Sequence, residues 1–252
     1  MAVISFANVK GGAGKTTTAL LLGMELVRQG YSVAVLDADP QGWIAMWFEL
    51  SPSNERFTVT TDVTTANLAG HLRRLHNAVD HVLVDLSGAS DVLVALTAGL
   101  SDLVLVPVQG CALDGRGAAR VLELIQYVEN NARTRINHAV VLNRVSAIVT
   151  THAITNVVTM LAGRGVPMLR TAIVERSAYR DLFDHGGLLH ELDETKVSNL
   201  ARARANAESF ADDVQALLDR EQNAAAGAPY ARFCYQREAV SNPAMHANHR
   251  AV

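Results

Sequence analysis

The chain has 252 residues, 49% of them apolar, which is enough for one large α/β domain with a substantial core. A formal net charge of −3 excludes a strongly basic nucleic-acid binder, although a local basic patch remains compatible with it. No run approaches the ~20 consecutive apolar residues of a membrane helix, the first residues read as strand rather than leader, and Cys111 and Cys234 form no metal or redox motif.

Apolar runs alternate with helical patterns, which predicts a mostly parallel sheet flanked by helices on both faces. Strands are expected at Val3 to Asn8, Ser32 to Leu36, Val82 to Asp85, Leu103 to Pro107 and Ala139 to Asn143, with a short sixth near Met168 to Thr171. Helices are expected at Lys15 to Gln29, Thr65 to His76, Asp91 to Leu100, Gly115 to Asn130, Thr151 to Arg164, Ser177 to Asp184 and Val197 to Glu221. Residues 1–221 read as one domain. Asn223 to Pro229 reads as a linker, and residues 222–252 as a flexible tail in which Tyr230, Phe233 and Tyr235 offer an alternative as a docking peptide.

Between the first strand and the first helix lies Val9-Lys10-Gly11-Gly12-Ala13-Gly14-Lys15-Thr16-Thr17. Glycines there let successive N–H groups converge on one anion, Lys15 adds a point charge, and Thr16 offers a hydroxyl to Mg²⁺. The fit to G-x-x-x-x-G-K-[ST] is loose, and it places a second lysine, Lys10, beside the phosphates. Only three of the 22 basic residues are lysines, and two of them are Lys10 and Lys15. A compact ammonium suits that place better than a planar guanidinium.

Asp37-Ala38-Asp39-Pro40-Gln41-Gly42 closes the second strand, at the sheet end where ligands of open parallel sheets sit. Two carboxylates spaced i, i+2 can face one metal–nucleotide cluster, one ordering metal-bound water and the other the attacking water; a solvated turn has the same composition. Asp85 ends an apolar strand and suits a Mg²⁺ position held through water, or a strand-end cap. Ser87-Gly88-Ala89 then offers a loop that senses the γ-phosphate.

Together, Lys10 to Thr17, Asp37 to Gln41 and Val84-Asp85 resemble the deviant Walker A ATPases of the ParA/MinD superfamily, over residues 1 to about 220. Length, the lack of an N-terminal DNA-reading domain, and Leu169 to Ile173 followed by Arg176 and Tyr179 resemble the small, ParF-like ParA proteins and the VirC-type proteins of plasmid transfer. The resemblance implies a P-loop NTPase fold with ATP and Mg²⁺ as cofactors. It implies that Lys10 crosses a dimer interface to the partner's nucleotide, that Lys15 holds the β- and γ-phosphates with Gly11, Gly12, Ala13 and Gly14, and that Thr17 contacts the α-phosphate. Thr16 would bind Mg²⁺ with Asp37 and Asp85 in support, Asp39 would orient the attacking water, and Asn143 would read adenine; a strand-end turn residue is the plainer reading of Asn143. Two departures stand out: no Pro-Pro follows Asp85, and Gln109-Gly110-Cys111 replaces a stretch that is usually polar or proline-containing.

The implied function is an ATPase of slow intrinsic turnover, cytoplasmic and nucleoid-associated. ATP would drive it to a homodimer that binds DNA non-specifically and answers to a centromere-binding, ParB-like partner, as in plasmid or chromosome partitioning. The alternative is a VirC-type role with a relaxosome component in conjugative DNA transfer. A MinD-like membrane role needs a basic amphipathic C-terminal helix that Arg232 to Arg237 does not provide. Candidate DNA contacts are Arg170, Arg176, Arg180, Arg202 and Arg204, although acidic residues nearly balance the basic ones from Arg164 to Arg204.

Overall fold

A strand with both faces buried is apolar along most of its length, and this requirement shapes the centre of the molecule. The computed structural model describes residues 1–226 apart from 52–53, 89, 111 and 148–150, so Cys111, Cys234, Ala89 and the expected tail beyond 226 lie outside the described residues. The chain runs β1 (Ala2–Phe6), α1 (Lys15–Arg28), β2 (Val33–Ala38), α2 (Trp43–Leu50), β3 (Phe57–Thr60), α3 (Leu68–Leu75), β4 (His81–Leu86) and α4 (Asp91–Leu100). It continues through β5 (Leu103–Val108), α5 (Ala112–Ala132), β6 (His138–Val145), α6 (His152–Gly163), β7 (Ile173–Val174), α7 (Ser177–His185) and α8 (Leu200–Ala226).

The strands form one seven-stranded sheet in the order β3-β2-β4-β1-β5-β6-β7, and every pairing is parallel. Strands β1, β2, β4 and β5 are buried at every position. Alternation divides their side chains between two cores. Ile4, Phe6, Leu83 and Leu105 join the layer of Leu20, Leu26 and Phe210 from α1 and α8. Val3, Val84, Val104 and Val106 join that of Leu93, Val121, Ile125 and Leu161 from α4, α5 and α6. Helices therefore cover both faces.

Helix α1 runs close under the sheet because Gly23 has no side chain: a Cβ there would lie 2.8 Å from Phe57 Cε2. Its far end is tied to α8 by Arg28 to Glu208 (2.8 Å) and Gln29 to Asp212 (3.3 Å). Glu25, fully buried, accepts from Arg28 Nε and pairs with His190 Nε2, each at 2.7 Å.

Four features differ from the sequence expectations. Helix α2 and strand β3 were not anticipated. The last strand is Ile173–Val174, while Met168 makes only an isolated bridge to Val140. Side chains of α8 explain the shift, because Asp213 captures the N–H of Thr171 (2.7 Å), which a neighbouring strand would otherwise use. Helix α8 begins at Leu200 rather than Val197 and continues to Ala226, through the first residues of the expected linker.

Candidate active site

Strand β1 lies between β4 and β5, and the chain leaves it through α1 toward β2 on one side while β5 and β6 extend the other. Such a reversal opens a crevice at the carboxyl ends of the strands. The phosphate loop emerges there and feeds directly into α1, whose positive end faces the crevice. Gly14 stands at φ 95°, and a Cβ on it would sit 1.8 Å from Asn143 Nδ2, so both backbone and space demand glycine.

Lys15, the first residue of α1, is only 5% exposed, and its Nζ lies 3.5 Å from the Lys10 carbonyl. Burial lowers its pKa, while Asp85 and Asp39 pull it back up. Thr16 Oγ1 donates to Asp85 Oδ2 at 2.7 Å. The other oxygen, Asp85 Oδ1, is buried without a hydrogen-bond partner among the described residues. Burial pushes the Asp85 carboxyl up to about 7, against the opposing pull of the Thr16 bond.

Asp37 is the cross-strand neighbour of Asp85 and accepts from the N–H groups of Ala45 (3.2 Å) and Asp39 (3.3 Å). Burial raises its pKa too. An orphaned carboxylate oxygen beside a hydroxyl and a second buried carboxylate is a donor set that suits a hard cation. No group of three or more Asp, Glu, His or Cys residues able to hold a metal occurs among the described residues. Mg²⁺ typically keeps several waters and takes oxygens from phosphate beside one or two carboxylates.

A cavity of about 400 Å³ opens above the loop. It gathers Gly11, Gly12, Gly14, Lys15, Thr16, Thr17, Asp39 and Asn143, all singled out from the sequence. Asp37 and Asp85 lie behind at the strand ends, 2% and 1% exposed. Lys10 stands at the start of the loop with its N–H on Asn8 Oδ1 (2.9 Å), and Asn8 is anchored to Pro107 O (2.7 Å). Gly117 of α5 packs against this pair, for a Cβ there would lie 2.3 Å from Asn8 Oδ1 and 3.1 Å from Lys10 Cβ.

The opposite wall was found from the sequence only in part: Arg176 and Tyr179 were named there, the others were not. It is built by Trp43, Arg144, Glu175 and Phe183, together with Arg176 and Tyr179. Arg144 and Arg180 both pair with Glu175, at 2.8 and 3.3 Å, which draws its carboxyl below the usual range, the Arg144 hydrogen bond first. Arg144 follows Asn143 at a strand irregularity and takes φ 52°, an uncommon conformation for a residue other than glycine, and no local sequence signal marked it.

The five arginines considered for DNA do not form one set. Arg204 is committed to the segment before α8, donating to the carbonyls of Leu189, His190 and Leu192 and pairing with Glu194. Arg176 lines the cavity, where its Nε is buried and without a partner among the described residues. Arg180 pairs with Glu175 at the rim. Arg170 and Arg202 are exposed.

Residues 1–224 match the family model described as VirC1 protein. The chain belongs to the VirC1 family, within the ParA/MinD superfamily. It is similar to Protein ParA of Rhizobium radiobacter, 37% identical over 211 residues that span 84% of this chain and 95% of the relative. Among solved structures, the Cyanothece McdA(D38A)-ATP complex matches with a TM-score of 0.70 at 20% identity, covering 85% of this chain and 96% of that one. The MinC:MinD cell division protein complex of Aquifex aeolicus matches at 0.65 and 17%, covering 86% and 96%. The fold is that of the MinD and ParA P-loop NTPases.

Proposed function

We propose that this VirC1-family member is a magnesium-dependent ATPase with a deviant Walker A loop, whose ATP-bound form dimerises, binds DNA and so positions it, most simply in plasmid or chromosome partitioning. One observation carries the reading: Lys15, buried at the head of α1, faces a cavity of nucleotide size beside paired buried carboxylates. The similar protein named ParA supports partitioning, and the likeness to the McdA(D38A)-ATP complex supports the nucleotide.

In this reading Lys15 holds the β- and γ-phosphates, Thr17 the α-phosphate, and Asp39 orients the attacking water. Lys10 reaches the nucleotide of a second copy. Thr16 and Asp85, backed by Asp37, would hold magnesium, which when bound neutralises charge on the phosphate oxygens. Positioning and charge neutralisation carry phosphoryl transfer, and with no arginine finger assigned, turnover is slow until a partner acts. The partner is a centromere-binding protein, and the dimer works in the cytoplasm on the nucleoid. Arg170 and Arg202 are its candidate DNA contacts.

The match to the VirC1 model favours a second reading, support of relaxosome assembly or positioning during conjugative transfer. Co-purification with a relaxase rather than a centromere-binding protein would select it.

The deciding experiment measures ATP uptake by calorimetry with Mg²⁺, dimerisation by size exclusion, and DNA retention across a salt series. Lys15→Ala should abolish all three. Lys10→Ala should keep monomer binding and lose the dimer. Salt should release DNA from the ATP form. Equal DNA retention with ADP and ATP would refute the switch, and absence of ATP uptake by folded protein would refute the reading entirely.

A further inference from the structure

Three successive peptide planes of the phosphate loop are held from behind by side chains. Gln109, just past β5, donates its Nε2 to the Gly12 carbonyl. Asn143, on β6, directs its Nδ2 to the carbonyls of Ala13 (3.3 Å) and Gly14 (3.2 Å) and to Thr18 Oγ1 (3.2 Å). Thr18 Oγ1 in turn donates to the Gly14 carbonyl at 2.7 Å. The far end of the Asn143 amide is fixed as well, since Oδ1 accepts from the Arg144 N–H at 2.8 Å. That contact determines which end of the amide faces the loop: two carbonyl oxygens there require N–H donors. Asn143 is 1% exposed, and the missing Cβ of Gly14 is what admits it.

In a trans peptide the N–H points away from the C=O of the same plane, and no cis peptide bond occurs among the described residues. Drawing the carbonyls of Gly12, Ala13 and Gly14 toward the ends of β5 and β6 therefore turns the N–H groups of Ala13, Gly14 and Lys15 the other way. A loop held so needs no reorganisation when an anion arrives.

We infer that Gln109 and Asn143 are positioning residues that preset the phosphate-binding N–H groups, and that Asn143 acts on phosphate affinity through the loop rather than on the base. The inference rests on the nucleotide-binding reading above. It differs from an adenine-reading role in one measurable respect: its effect is blind to the base.

The test titrates ATP, GTP and inorganic tripolyphosphate, each with Mg²⁺, into wild type, Asn143→Ala, Asn143→Asp and Gln109→Ala, following heat by calorimetry. Asn143→Ala should weaken all three ligands by the same factor, about tenfold. Asn143→Asp should weaken them further, because a carboxylate oxygen would face two carbonyls. Gln109→Ala should give a smaller loss, again equal across ligands. Where Asn143→Ala fails to show a cooperative melt, Thr18→Val replaces it as the probe, and a base-independent loss is again expected. Loss of ATP affinity alone, with tripolyphosphate binding kept, would overturn the inference in favour of base reading. Unchanged affinities in Asn143→Ala, or in Thr18→Val when that is the probe, would overturn it outright. A wild type that binds none of the three would instead remove the ATPase reading itself.

Discussion

His81 is a group through which the fold senses acid. It opens β4, 6% exposed, with Tyr31 edge-on at 5.0 Å, and its Nδ1 is buried without a partner among the described residues. Burial holds its pKa below the usual 6.5, although Asp80 pulls upward. The unfolded chain accepts a proton near 6.5 that the folded one refuses, so this site's contribution is lost as pH falls through that window. Asp85, whose raised carboxyl takes up its proton in the folded state, acts in the opposite sense over the same range. The His81 effect is therefore read as a difference: between about pH 7.5 and about pH 5 the urea midpoint of wild type, followed by circular dichroism, should fall relative to that of His81→Phe. An unchanged slope in the variant would assign the acid sensitivity elsewhere. At the same scale, the residues of the phosphate loop were legible because their types, spacing and flanking elements all agree. Asn143 was legible as a position but not as a contact: its partners Ala13 and Gly14 lie far away in the chain, and no local pattern joins them.

At the scale of elements, periodicity located the long helices and the buried strands, where one signal dominates. It failed on short pieces whose identity is set by neighbours. Strand β3 is four residues long with only Phe57 fully buried, and the two residues of β7 are flanked by side chains of α8, Asp213 on the Thr171 N–H and Asn206 on the Val174 N–H. Helix α2 starts after Gly42 in the left-handed region and buries only Ile44 and Trp47, so its apolar run lacks a clean stripe. The segment before α8 shows the converse, an irregular stretch held by one side chain. Arg204 donates to three of its carbonyls, and only about a fifth of the side chain is exposed. Arg204→Ala should cost about 2 kcal/mol of unfolding free energy, the scale for hydrogen bonds from a charged donor, measured by denaturant titration. A loss below about 0.5 kcal/mol would mean that the segment is held by its apolar residues instead.

For the whole molecule, the alternation of strand and helix determined class and direction, and the parallel seven-stranded sheet follows that pattern. Half of the cleft was legible in the same way, the half that carries the phosphate loop and the strand-end carboxylates. The other half comes from the end of β6, from the segment joining β7 to α7 with α7 itself, and from the first turn of α2, elements distant in the chain that the tertiary fold places beside the loop. Glu175 and Phe183 carry no motif, and their meaning is purely positional.

One resident of that wall offers a further use. The chain has two tryptophans; Trp47 is 2% exposed in the core, whereas Trp43 lines the cleft and is 48% exposed. The native emission spectrum is thus a sum of a constant blue component and a red one that feels the cleft. Adding ATP should dim or shift the red component, Trp43→Phe should erase the response, and a spectrum indifferent to ligand would place the occupant away from α2. The molecule carries its own optical gauge of occupancy, with no dye attached.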